Sequence, residues 1–231
     1  MAAIEVVLCS GFSTQLLLTV VLGALGLRAL DGAGQLALVY VVALSLTDAA
    51  LLLGLIFYFL WLHRESPREI FFGVRPPAAE AALGIVLTPV IVVAAVAGLA
   101  AIQSFAPWLH NVPENPLEAL LRSPADVLAF SVVAVVAGGL REELQRAFVL
   151  RRFEQHLGGG WVGLVVFSVA FGLGHQIQGW DAAIIAGSLG AIWGAMYLIR
   201  RSALAAMISH VGFNVAEILL LVFGGAVATV G

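Results

Sequence analysis

Apolar residues run along this chain in long blocks with short polar breaks between them. The blocks lie at Ile4–Leu30, Leu36–Leu62, Ala79–Ile102, Asp126–His156, Trp161–His175, Ala182–Ile199 and Ala203–Val227. A helix needs about 20 residues to cross the hydrocarbon of a bilayer, and most of the blocks reach that length. Lipid offers no water to bare N–H and C=O groups, so a spanning chain closes its hydrogen bonds within helices or a barrel. Barrel strands alternate over segments of about 10 residues; these blocks are mostly longer and do not alternate. The pattern predicts an all-α, multi-pass transmembrane bundle of about seven spans.

The breaks carry their own signals. Asp31-Gly32-Ala33-Gly34-Gln35 ends the first span, whose start is diluted by Ser10, Ser13, Thr14 and Gln15. The interval Gln103–Ala125 holds Pro107, Pro113, Pro116 and Pro124, so it cannot be one helix. Its Leu117–Ser123 stretch predicts a short amphipathic helix on the membrane surface. Ser123-Pro124-Ala125-Asp126 then reads as a helix start, with a Ser cap, Pro in first position and an acid in the first turn. From there one helix is expected to run to His156, ended by Gly158-Gly159-Gly160. Gly190 and Gly194 permit close helix packing. There is no internal repeat. The chain reads as one membrane domain, with N-terminal spans and a surface loop over 1–125 and a helical core over 126–227.

Composition agrees with the pattern. Of 231 residues, 61% are hydrophobic and 11% charged, against about 25% charged in a soluble domain. No basic patch suits nucleic acid, and Cys9 stands alone, so no disulfide forms within the chain. The N-terminus carries Glu5 and no Arg, unlike a cleaved signal peptide. All eleven basic residues are arginine, which with the abundance of Ala and Val points to a GC-rich genome and a bacterial inner membrane. With the second loop placed inside, Arg64, Arg68, Arg75, Arg151, Arg152, Arg200 and Arg201 share the cytoplasmic side. Arg28 and Arg122 fall outside. This positive-inside bias puts the N-terminus in the cytoplasm.

Charges inside the spans are the candidate chemistry, because each is costly in lipid unless it faces a polar interior. Arg141, Glu142, Glu143 and Arg146 fall within six residues. Glu143 stands 16 residues before Gly159 and His175 stands 16 after it. On an antiparallel helical hairpin the two reach a similar depth. His210 and Asn214 are four apart and share a helix face. Arg146, four after Glu142, is placed to pair with it. A carboxylate beside a histidine can take a proton from water. A second histidine and an amide can donate to the oxyanion formed at a peptide carbonyl. Alternatively, His175, His210 and Glu142 could hold Zn²⁺ with an open fourth position. Read singly, each motif also has a plain meaning: an ion cluster at a helix end, a packed histidine, a hydrogen bond between helices. Asp48 and Glu217 also lie within spans, as outer partners or boundary groups.

The motifs Glu142-Glu143-Leu144-Gln145-Arg146, Phe171-Gly172-Leu173-Gly174-His175 and His210-Val211-Gly212-Phe213-Asn214 together resemble the CPBP family of intramembrane proteases. That family includes the type II CAAX prenyl endopeptidases and the Abi proteins. The resemblance covers about Asp126–Val227. It implies that Glu142 activates water with help from His175, and that His210 and Asn214 form the oxyanion site. Glu143 and Arg146 would orient and support, and Phe171 would pack. The family's first motif has three residues between the second Glu and the Arg; here there are two. A glutamate mechanism of this kind needs no cofactor, while a metalloprotease would hold zinc. The implied partner, besides the lipid bilayer, is a peptide or membrane-protein substrate, lipidated in the CAAX case. A catalytically idle binding or immunity scaffold and a proton-coupled transporter are the competing functions. Transport predicts inverted repeats, which the sequence lacks.

Overall fold

The computed structural model describes residues 1–228, and its architecture is all-α. The first expected span is broken into α1 (Ala2–Leu8) and α2 (Phe12–Ala24), which meet at 43°. Gly11 stands at the break with a φ of 85°, a left-handed conformation that suits glycine. The Ser10 and Ser13 hydroxyls both donate to the Val7 carbonyl at the end of α1, at 2.8 and 2.9 Å. The polar residues that diluted this span in the sequence therefore mark its bend.

The next helices are α3 (Leu38–Leu62), the single turn α4 (Pro67–Phe71) and α5 (Pro77–Phe105). The expected surface helix at Leu117–Ser123 is not formed; the stretch holds one 3₁₀ turn, Glu118–Leu120. Pro116 and Pro124 bracket it, and so short an interval cannot recover the cost of starting an α-helix. The start at Ser123 is as expected: its hydroxyl accepts the Asp126 amide at 3.2 Å, with Pro124 in first position.

The helix expected over Asp126–His156 runs without a gap but changes its winding. It is α-helical over Pro124–Val133 (α6), π-helical over Ala134–Arg141, and α-helical again over Glu142–His156 (α7). Gly158 and Gly159, at φ 95° and 107°, turn the chain into α8 (Gly160–Gly174). The last two helices are α9 (Trp180–Arg200) and α10 (Leu204–Ala228).

By length and apolarity, α3, α5, α9 and α10 can each cross a membrane, and the α1–α2 pair makes a fifth span if counted as one. The expectation of about seven is not confirmed, because two elements fall short as single helices. The α6–α7 element is divided by its change of winding into pieces of 10, 8 and 15 residues, none long enough by itself, and the last carries Glu142, Glu143, Arg146, Arg151, Arg152 and Glu154. The 15 residues of α8 reach only about 22 Å. Both still complete the bundle. Phe148, Val149 and Leu150 of α7 are fully buried against Leu52, Ile56 and Leu60 of α3, Phe71 of α4 and Tyr197 of α9.

The loops gather at two ends. At one, Arg152 pairs with Glu5 and Glu65 at 2.6 Å, Arg200 with Glu80 at 2.6 Å, and Arg201 with Glu154 at 2.6 Å. At the other, His110 and Gln103 donate to Asp181 at 2.7 and 3.0 Å, and Arg122 pairs with Asp31 at 3.4 Å. The arginines that the sequence assigned to one side thus lie at one physical end, together with the N-terminus.

Candidate active site

The site begins where the π-helical stretch lies against α10. Two glycines permit the approach. A Cβ on Gly138 would stand 2.6 Å from Asn214 Nδ2, and one on Gly139 would overlap Val211. Asn214 donates from Nδ2 to the Ala134 carbonyl at 2.9 Å, at the first residue of that stretch. A π-turn shifts hydrogen bonding to i+5 and is frequent at functional sites. Here it ends at Arg141, so the charged residues leave its last turn on opposite sides.

Glu143, Arg146 and His210 form one buried unit. Glu143 is 1% exposed and pairs with Arg146, three residues on. It also accepts from His210 Nδ1 at 2.8 Å. The pairing expected between Arg146 and Glu142 is therefore corrected to Glu143. The fully buried carboxylate takes the cation, because an unpaired charge there would be the costlier state. The Arg146 guanidinium lies 4.9 Å from the Phe171 ring centre, 5.7 Å from that of Phe167 and 5.8 Å from that of Trp193. Such cation–π contacts replace lost hydration. Gly190 leaves the room: its Cβ would meet the Phe171 ring at 3.0 Å and Arg146 Nη2 at 3.5 Å.

His210 is fixed on its other face by Trp193. The rings stack at 3.7 Å between centroids, 14° from parallel. Trp193 Nε1 donates to the Ser209 hydroxyl at 3.0 Å. Sequence reasoning missed Trp193. A signal was present, since the other four tryptophans stand at expected span ends and this one stands within a span.

Glu142 differs from its neighbour. Its side chain is 16% exposed, and among the described residues it accepts no hydrogen bond. His210 Nε2 stands 3.9 Å from Glu142 Oε2, too long for a direct bond. His175, on the cap after α8, donates from Nδ1 to the Phe171 carbonyl at 2.9 Å. A carbonyl only accepts, so the neutral ring keeps its lone pair at Nε2. His175 is half-buried and makes no hydrogen bond to either carboxylate. Phe171 links the parts, 4.6 Å from the His175 ring and 6.5 Å, edge on, from that of His210. Glu143, Arg146 and His210 are thus in contact, with Glu142, Phe171 and His175 around them. Asn214, one turn above His210, bonds to the π-helical backbone.

Behind the site lies a second buried network that the sequence left aside. Asp48 of α3 is 0% exposed; it accepts from Thr14 and pairs with Arg141 Nη2 at 3.3 Å. Arg141 Nη1 donates to Gln145 Oε1 at 2.8 Å, and Gln145 Nε2 donates to the Cys9 carbonyl at 2.9 Å, inside the α1–α2 break. Residues 141 and 145 thus tie α7 to the N-terminal helices, while residues 142, 143 and 146 face the site.

Residues 124–216 match the family model described as Type II CAAX prenyl endopeptidase Rce1-like. That stretch is similar to the family. All the residues placed in the site lie inside the matched stretch, and the match implies peptidase activity in the general sense. No curated protein and no solved structure matches the chain. Among the described residues, no three His, Cys, Asp or Glu side chains converge as a metal-binding group. His175, His210 and Glu142, offered by the sequence as alternative ligands of a zinc ion, are not gathered into such a group. His210 Nδ1 is bonded to Glu143 and His175 Nδ1 to the Phe171 carbonyl, and the Phe171 ring is in contact with both imidazoles.

Proposed function

We propose that this protein is an intramembrane endopeptidase of the CAAX type, hydrolysing a peptide bond at or within the membrane. The division of labour between the two carboxylates carries the reading. Glu143 is spent on Arg146 and His210, whereas Glu142 is uncommitted and partly open. A carboxylate in that state can act on water. Glu142, assisted by the free Nε2 of His175, takes a proton from water as the oxygen attacks the carbonyl carbon. The tetrahedral oxyanion accepts the second Nδ2–H of Asn214, and Nε2–H of His210 in its doubly protonated form. Collapse breaks the C–N bond, and the proton held by the Glu142–His175 pair goes to the leaving amine. The shortened first motif suits this scheme, since Arg146 meets Glu143 at i,i+3.

By this reading the substrate is a peptide or membrane protein, lipidated in the CAAX case. The arginine-rich end and the N-terminus face the cytoplasm, in the inner membrane of a bacterium. The deciding experiment uses the detergent-solubilised protein and quenched peptides, lipidated and plain. Wild type, Glu142→Gln and His175→Ala are run side by side, each with and without a chelator. Cleavage by wild type and its loss in both variants is the expected result. Cleavage that persists in both would overturn the assignment.

A further inference from the structure

Glu217 lies one residue past the matched stretch and takes no part in the site described above. It sits in α10, a helix apolar enough to cross a membrane. A carboxylate in such a helix is costly unless it faces water, a polar interior or a counter-charge. Among the described residues, Glu217 has neither a hydrogen-bond nor an ion-pair partner, and it is exposed. Arg122, which lines a cavity of about 800 Å³ with Val127, Leu220 and Leu221, is already committed to Asp31 and Gln35.

The register of α10 says where Glu217 points. At 3.6 residues per turn, Phe213 lies about −60° from His210, Asn214 about +40° and Glu217 about −20°. Phe213 packs on Trp193 of α9. Asn214 reaches back to Ala134, where α6 passes into the π-helical stretch. Glu217 is therefore aimed between those two neighbours, on the face that His210 heads, about 10 Å further along the axis. Lower down, this sector is closed by Glu143 and Trp193, with His210 itself buried. At Glu217 it is open. The exposed carboxylate thus lies on the helix face that His210 heads, beyond the buried part of the site.

We infer that Glu217 is a specificity-determining residue, a subsite for a cationic group of the substrate: an Arg or Lys side chain about three residues from the scissile bond. An extended peptide advances about 3.3 Å per residue, so three residues cover the distance from His210 to Glu217. A cation arriving there supplies the counter-charge that the helix lacks. The inference rests on the peptidase reading for its substrate class but not on turnover.

The test is binding. Full-length protein with Glu142→Gln, which keeps substrate uncut, is titrated with fluorescent peptides differing only by Arg, Gln or Glu at positions two to four from the cleavage point. The Arg peptide should bind about tenfold tighter than the Gln peptide. That ratio should fall to about one with Glu217→Gln added, and the Glu peptide should become the preferred ligand with Glu217→Arg added. Affinity for the Gln peptide, the same in all three proteins, reports that they remain folded. A charge preference that ignores residue 217, or none at all, would overturn the inference. Turnover of the same peptides by wild type is scored separately. Charge-selective binding without turnover would count against the peptidase reading alone, and turnover without charge selection against Glu217 alone.

Discussion

Glu142 and Glu143 are neighbours of one chemical type in different physical states. Glu143 neutralises a guanidinium buried among three aromatic rings, so its loss leaves Arg146 without its carboxylate. Glu143→Gln should cost about 3–5 kcal/mol of stability, seen as a lower unfolding midpoint in detergent. Glu142 accepts no hydrogen bond among the described residues, with His210 Nε2 only at 3.9 Å. Glu142→Gln should leave the midpoint nearly unchanged while lowering the rate of cleavage about 10²- to 10⁴-fold. Equal effects of the two substitutions on either readout would contradict this division. The pair was legible in the sequence because charge stands out in an apolar block. Its division was not, because spacing allowed Arg146 to reach either carboxylate. Trp193 was harder to see, since a tryptophan reads as core or interface until its ring is found stacked on His210.

The π-helical stretch decides the register of everything after it. A hydrophobic pattern cannot announce it: Ala134–Leu140 looks like ordinary apolar helix, and what marks the wider winding is that Asn214 and Val211 of α10 lie against it. Gly138→Ala would drive a Cβ into Asn214. That should cost about 1–3 kcal/mol and depress cleavage with it. Asn214→Ala strips the Ala134 carbonyl of its side-chain partner, again at about 1–3 kcal/mol. The two losses should be less than additive in a double-mutant cycle, because both act on one contact. On the far side of the helix, Asp48→Ala should destabilise by about 3–5 kcal/mol by stranding Arg141. Asp48→Leu combined with Arg141→Met should recover most of that loss; failure to recover would show that the pair does not act as a unit. The N-terminal helices belong to this device through Thr14 and the Cys9 carbonyl. Nothing local in Glu5 or Asp48 discloses their partners, which lie far along the chain.

The whole molecule has two unlike ends, one rich in arginine and one nearly free of it. In a background with Cys9 replaced by Ala, Ala33→Cys should react with an impermeant maleimide on intact cells, and Arg68→Cys only after lysis. The reverse pattern would invert the orientation. Helical class, membrane residence, the charged end and the candidate site residues were determined by the sequence alone. They follow from local apolarity, from charge counts and from motif spacing, none of which needs a partner elsewhere in the chain. The tertiary structure alone decided that the first span bends at Gly11 and that the helix leading to Glu142 passes through a π-turn. It also decided that Arg146 serves Glu143. Each of these depends on which faces of distant helices meet, and a buried charge or a close glycine acquires its role only from the atoms brought against it.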